Sequence, residues 1–337
     1  MNSLLRSVGL GRRVVLCLAA GALAASLMPV AAQAEDYPSR PVTFVVGFGV
    51  GGSADRTARA LAQFLPEELG QPVTVVNRDG AGGQLAATYV LSQPADGYTL
   101  LATALSPYLA NSIIHTDASY SLDDFAFVNG QWSDWDVIAL NKDREFQTLA
   151  EFMAAVKANP GEHSASVVTG SAGELTAYLL MEAAGLPADA MNVVTYESGG
   201  AARAAVAGGQ VDITIVGGEG TEGIRDMIRP LAVVRDDRAE GWDAPPVNEA
   251  LAEAGMEIPV VSGSIRGLAA PAAFRDENPE AWQKLVSAYE KTMKNPEFIA
   301  FLKQNDIGAD WLGPDKTTEV VKRNYEILER YKDLIEK

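Results

Sequence analysis

The chain has 337 residues, with 27 lysines and arginines against 44 acidic residues and a net charge of −17. That balance argues against nucleic acid as a partner, since phosphates need a basic face to neutralise them, and mildly against long-range steering of an anion. The one cysteine, Cys17, leaves no possibility of an internal disulfide or a multi-thiolate metal site.

In chain order, the first residues read as an export signal. Arg6, Arg12 and Arg13 are followed by an apolar run over 14–27 and then by the small-x-small site Ala32-Gln33-Ala34, just before Glu35. The run is too short for a membrane span, and the residues flanking Arg12-Arg13 suit general secretion better than twin-arginine export. Cleavage after Ala34 would remove Cys17 and three arginines, leaving 303 residues at net charge −20. Periplasmic localisation is therefore expected. No later stretch approaches the ~18 consecutive apolar residues of a transmembrane helix.

From Pro41 onward, short β-branched runs alternate with helical patterns. Strands are expected at 42–46, 73–76, 99–102, 137–140, 166–168, 192–195, 211–216 and 231–234. Helices are expected at 54–65, 83–91, from Thr148 to about 159, 172–184 and 201–207. Thr148-Leu149-Ala150-Glu151 has the pattern of a capping box. Such alternation predicts an α/β fold of parallel sheets covered on both faces. The last part is all helical, at 279–293, 296–303 and 317–335, and Val321, Tyr325, Leu328, Tyr331 and Ile335 form one apolar stripe in it. Two segments, 127–137 and 260–268, could pass between lobes. The expected division is one lobe at 35–130 plus 265–337 and a second, inserted, at 131–264. Two connections make a natural hinge for closure around a ligand.

A strand running into a glycine-rich turn that opens a helix recurs five times: at 47–53, 79–83, 169–173, 197–200 and 217–221. Glycine lets a ligand approach the backbone, and helix N-termini offer unpaired N–H groups at the positive end of a dipole. Several such ends facing one cleft could hold carboxylates without lysines. In particular, the Gly51 and Gly52 N–H groups are expected to approach the ligand carboxylate. Gly47, Gly49 and Gly52 also spell G-x-G-x-x-G, so a dinucleotide site is the rival reading. Asn77-Arg78 stands where that fold would place an acid for the ribose, and Asp55 would repel a pyrophosphate. Catalytic sets are thin: His115 and His163 stand alone, and no G-x-S-x-G or Walker motif is present. Trp132 and Trp135, in the first inter-lobe segment, could stack on an aromatic ligand.

At this point a resemblance enters. Tyr37-Pro38-Ser39-Arg40-Pro41, Gly51-Gly52-x-x-Asp55, Leu69-Gly70-Gln71-Pro72-Val73, Gly80-Ala81-Gly82-Gly83, Asp96-Gly97-Tyr98-Thr99-Leu100 and, later, Gly208-Gly209-Gln210-Val211-Asp212 and Arg266-Gly267-x-x-Ala270-Pro271 resemble the tripartite tricarboxylate transporter substrate-binding (Bug) proteins. The resemblance implies a type II periplasmic binding protein fold of two doubly wound α/β lobes that closes on a small organic carboxylate, a dicarboxylate, tricarboxylate, amino acid or aromatic acid. It implies no enzyme activity, cofactor or metal, and a monomer that delivers its ligand to integral-membrane permease subunits; a sensing module for a signalling partner is the alternative. Carried over by position, the ligand site is Gly49, Val50, Gly51, Gly52, Ser53 and Asp55, with Thr169, Gly170, Ser171, Ala172 and Gly173 facing them. Thr103, Ser106, Trp132 and Arg203 complete it. Gly47 and Val50 stand where the family usually has prolines, which loosens the first loop.

Overall fold

The computed structural model describes residues 36–335, apart from 116–117, 197 and 262. The expected signal segment, Cys17 and Glu197 therefore lie outside the described residues. The chain runs β1 (Val42–Val46), α1 (Ser53–Leu69), β2 (Val73–Asn77), α2 (Gln84–Leu91), β3 (Thr99–Ser106), α3 (Tyr108–Ile114) and β4 (Phe125–Ser133). It continues with β5 (Asp136–Asn141), α4 (Leu149–Ala158), β6 (Ser164–Val168), α5 (Ala172–Ala183), β7 (Asn192–Tyr196), α6 (Gly199–Ala207), β8 (Ile213–Gly217), β9 (Ile228–Val233) and α7 (Val247–Leu251). β10 (Ile265–Pro271) is followed by α8 (Ala272–Glu277), α9 (Pro279–Lys294), α10 (Pro296–Gln304), α11 (Gly313–Arg330) and α12 (Lys332–Ile335).

Two sheets result, ordered β2-β1-β3-β10-β4 and β7-β6-β8-β5-β9. Successive strand residues point to opposite faces, and here both faces are buried. Val42, Phe44 and Val46 pack in one core with Ala54, Ala58, Leu61 and Leu65 of α1, while Val45 packs in another with Ala86 and Val90 of α2. The second sheet repeats the arrangement, with Ile138 and Leu140 on one side and Val137 and Ala139 on the other. Helix α1 follows from its sequence: buried Ala54, Ala58, Leu61, Leu65 and Leu69 recur at helical spacing, and Gly70 closes it in the left-handed region at φ 83°.

The sheets are mixed rather than parallel. β10 runs antiparallel to β3 and β4, and β5 antiparallel to β8 and β9. β4 and β10, anticipated only as passages between lobes, are full members of the first sheet. Polar residues obscure β4: Asn129 and Gln131 are completely buried. The loop before α11 satisfies them, since Asn129 accepts from the N–H groups of Leu312 and Gly313 and Gln131 donates to the Gly308 carbonyl.

The chain crosses between the sheets twice, from β4 to β5 through Asp134-Trp135 and from β9 back to β10. The crossings touch: Asp134 N–H donates to the Ser264 carbonyl at 3.0 Å. A Cβ on Gly263 would stand 2.7 Å from the Asp134 carbonyl oxygen. Helix α11 links both halves, with Val321 in the core of the first and Leu328 in the core of the second. No helix among the described residues is long and apolar enough to cross a membrane.

Candidate ligand-binding cleft

Between the two sheets lies a cavity of about 1080 Å³, at the carboxyl ends of β1, β6 and β8. The edge collects helix N-termini because β1 and β6 turn there into α1 and α5, and the neighbouring β7 into α6. Ser53 and Ala54 of α1, Ala172 of α5, and Gly199 and Gly200 of α6 all line it. The first N–H groups of each helix lack an acceptor within the helix, so the cleft is ringed by outward-facing donors. Phe48, Tyr108 and Trp132 supply apolar wall, and the crossings form the floor with Asp134, Asp136, Ser264 and Arg266.

The structure brings together Gly52, Ser53, Trp132, Ser171, Ala172 and Arg203 of the anticipated residues. The others stand behind or outside the wall. Gly49, Val50 and Gly51 are absent from the lining, and Val50 is 77% exposed. Gly51 N–H donates to Asp55 Oδ2 at 2.8 Å and Gly52 N–H to the Gly49 carbonyl at 3.2 Å. Both amides anticipated to hold a carboxylate are thus already occupied, and the donors at this wall are those of Ser53 and Ala54. Asp55 is buried beneath the loop and organises it: Arg59, Gly51 N–H and Asn77 all donate to its carboxylate. Burial raises its pKa, but these donors outweigh burial and hold the carboxyl below the usual range. Thr103 is packed behind the first loop, where a Cβ on Gly47 would meet its Oγ1 at 2.9 Å. Ser106 is buried and accepts from Asn324 Nδ2 of α11. Thr169 N–H donates to the Tyr196 carbonyl. The Gly170 carbonyl accepts from Asn111 of the facing lobe at 2.7 Å. Gly173 is buried against β8. Trp135 packs edge-on to Trp242, with ring centroids 5.6 Å apart, away from the cleft.

Charges in the cleft are mixed. Asp134, Asp136, Glu219, Glu222 and Asp306 face Arg56, Arg203, Arg266 and Lys303. Arg266 is held through two of its nitrogens: Nε donates to Ser53 Oγ at 3.0 Å, Nη1 to the Ser264 carbonyl at 3.2 Å, and Asp134 Oδ2 lies 3.6 Å from Nη1. Trp132 Nε1 donates to Glu219 across the cleft. Burial pushes the carboxyls of Asp134 and Glu219 upward, opposed in the first by Arg266 and in the second by Trp132. Arg203 projects between two glycine turns. A Cβ on Gly199 would stand 3.0 Å, and one on Gly220 2.8 Å, from its Nη1. Burial lowers its pKa, while Asp134 and Glu222 counter that from a distance.

The family model described as the tripartite tricarboxylate transporter family receptor matches residues 57–337. The chain belongs to this receptor family. A relative from Cupriavidus necator, the UPF0065 protein in the gbd 5′ region, is 30% identical over 94% of this chain and 95% of its own. A TctC solute-binding protein from Polaromonas superimposes with a TM-score of 0.72 at 24% identity, covering 89% of this chain and 99% of that one. An R. palustris protein solved with adipate superimposes at 0.68 and 25% identity, covering 89% and 98%.

The two sheets with their crossings are therefore the two α/β lobes of a periplasmic binding protein, and family and fold are those of solute-binding receptors rather than enzymes. Tyr108, Asp134, Asp136, Glu219 and Arg266 of the receptor's cleft were not singled out from sequence as ligand residues. Arg266 stood in the family-like run with Gly267, and Asp134 lay between the two tryptophans. Only their convergence from separate strands makes them a site.

Proposed function

We propose that the receptor is exported to the periplasm, captures a small organic acid in the cleft and delivers it as a monomer to the permease subunits of a tripartite tricarboxylate transporter. The observation that carries this reading is the meeting of three helix N-termini with Arg203. Among the described residues no hydrogen bond or ion pair holds that guanidinium. Backbone donors and one unpaired arginine suit a carboxylate, and burial strengthens their attraction for it. The double crossing at Asp134 and Ser264 supplies a hinge on which the lobes can close.

The test is a thermal-shift screen against dicarboxylates, tricarboxylates, aromatic acids and amino acids. A ligand of the native state stabilises it by ~2.7 kcal/mol at a hundredfold excess over Kd, so one class should raise the melting temperature by several degrees. No shift from any acid, with ligand-free and folded protein, would overturn the reading. Against the acid that gives the largest shift, Gly220→Ala should weaken binding ~10-fold by displacing the guanidinium, with the melting temperature of the free protein unchanged. Calorimetric titration checks this, and an unaltered affinity would remove Arg203 from the site.

A further inference from the structure

The cleft floor contains a group that carboxylate capture does not use. Asp136, the first residue of β5, lines the cleft, is 6% exposed, and its Oδ2 has no hydrogen-bond partner among the described residues. Asp134 lies beside it, close enough to interact through its charge. Arg266, whose charge partly relieves Asp136 without a hydrogen bond to it, is already held by Ser53, Ser264 and Asp134. Other polar groups near Asp136 do not neutralise it, since Tyr108 faces it from α3 without a hydrogen bond and Glu219 is engaged by Trp132.

A buried carboxylate without a donor is costly, and a second carboxylate brought in by a ligand would add repulsion. Arg203 on the second lobe is the complementary case, a guanidinium with no paired anion among the described residues. Among the described residues, the cleft thus offers an unpaired anion at its floor and an unpaired, half-buried guanidinium on its wall, with the exposed Lys303 a second cation that has no ion pair. No group of three or more His, Cys, Asp or Glu among the described residues is placed to hold a metal ion, which favours an organic cation.

We propose that Asp136, with Asp134 beside it, forms a subsite for a protonated amine, so that the ligand is an amino acid whose carboxylate faces Arg203 and the helix N-termini and whose ammonium faces Asp136. This rests on the cleft being the carboxylate site argued above. It separates this receptor from relatives solved with malate and adipate, neither of which carries an amine.

Matched pairs test it: aspartate with succinate, glutamate with glutarate, leucine with isocaproate and phenylalanine with hydrocinnamate, titrated calorimetrically into wild type, Asp136→Asn and Arg203→Gln. In at least one pair the amino acid should bind ~10–100-fold tighter than its deaminated partner, the range of a hydrogen bond to a charged group. Asp136→Asn should erase that preference while the deaminated acid keeps or gains affinity, and Arg203→Gln should weaken both members. Deaminated acids binding wild type as tightly as their amino partners would overturn the amine subsite and leave carboxylate capture standing. A preference for the amino acid that survives Asp136→Asn would also overturn it. Binding by no member of any pair, while another acid of the thermal-shift screen binds, would also overturn the amine subsite and leave carboxylate capture standing. Only failure of the whole screen would sink both.

Discussion

At pH 8 the ligand-free Asp136→Asn protein should melt about 5 °C above the parent, and the difference should vanish near pH 4. The cause is burial of the carboxyl, reinforced by the charge of Asp134 and partly relieved by Arg266, which together push its pKa from 3.8 to about 7. A carboxyl whose pKa rises on folding stabilises the native state only while protonated. That contribution is complete below the unfolded value and is lost as pH climbs through the folded one. At about 1.4 kcal/mol per pH unit, the ionised side chain costs the folded protein on the order of 2–4 kcal/mol above pH 7. The amide has the same shape and no charge, so it escapes this penalty while still offering a donor to Asp134. Thermal melts of both proteins across pH 4 to 8 check the sign: a variant less stable than wild type at pH 8 would mean that Asp136 has a partner.

Gly173→Ala should destabilise the receptor by about 3 kcal/mol, read as a lower denaturant midpoint, and should weaken ligand binding as well. Within a helix, glycine to alanine ordinarily gains about 1 kcal/mol. Here the added Cβ would overlap the Ile215 carbonyl oxygen and lie 3.0 Å from its carbon, and neither backbone atom can swing aside. Helix α5 must therefore lift from β8, taking Ser171 and Ala172 away from the cleft wall they line. The clash outweighs the propensity gain because it is met by a rigid strand rather than by a flexible side chain. A variant as stable as wild type would show that the helix start can retreat without cost, and that Gly173 is not needed for the close approach.

Some of this was legible residue by residue. The run 42–46 could hardly be anything but a buried strand, and α1 follows from glycines, then apolar residues at helical spacing, then Gly70. The glycine turns before α1, α5 and α6 announced helix N-termini, and all three reach the cleft. Asp55 shows where such reasoning stops. A carboxylate in the first turn of a helix beside a glycine loop looks the same in sequence whether it meets a ligand or holds the loop. Only the hydrogen bonds from Gly51, Arg59 and Asn77 decide for the second.

What the sequence determined by itself was the alternation of strand and helix, the export-like N-terminus and the family, since each depends on residues adjacent in the chain or on their order. What only the tertiary structure decided was the floor of the cleft. β4 and β10 conceal their nature behind Asn129, Gln131 and Arg266, polar residues whose partners lie far along the chain. Asp134, Asp136 and Ser264 become one surface because two crossings, remote in sequence, run side by side. Periodicity reports the face a residue takes on its own element; the charge it meets there is set by the element packed opposite, and that pairing exists only once the chain has folded.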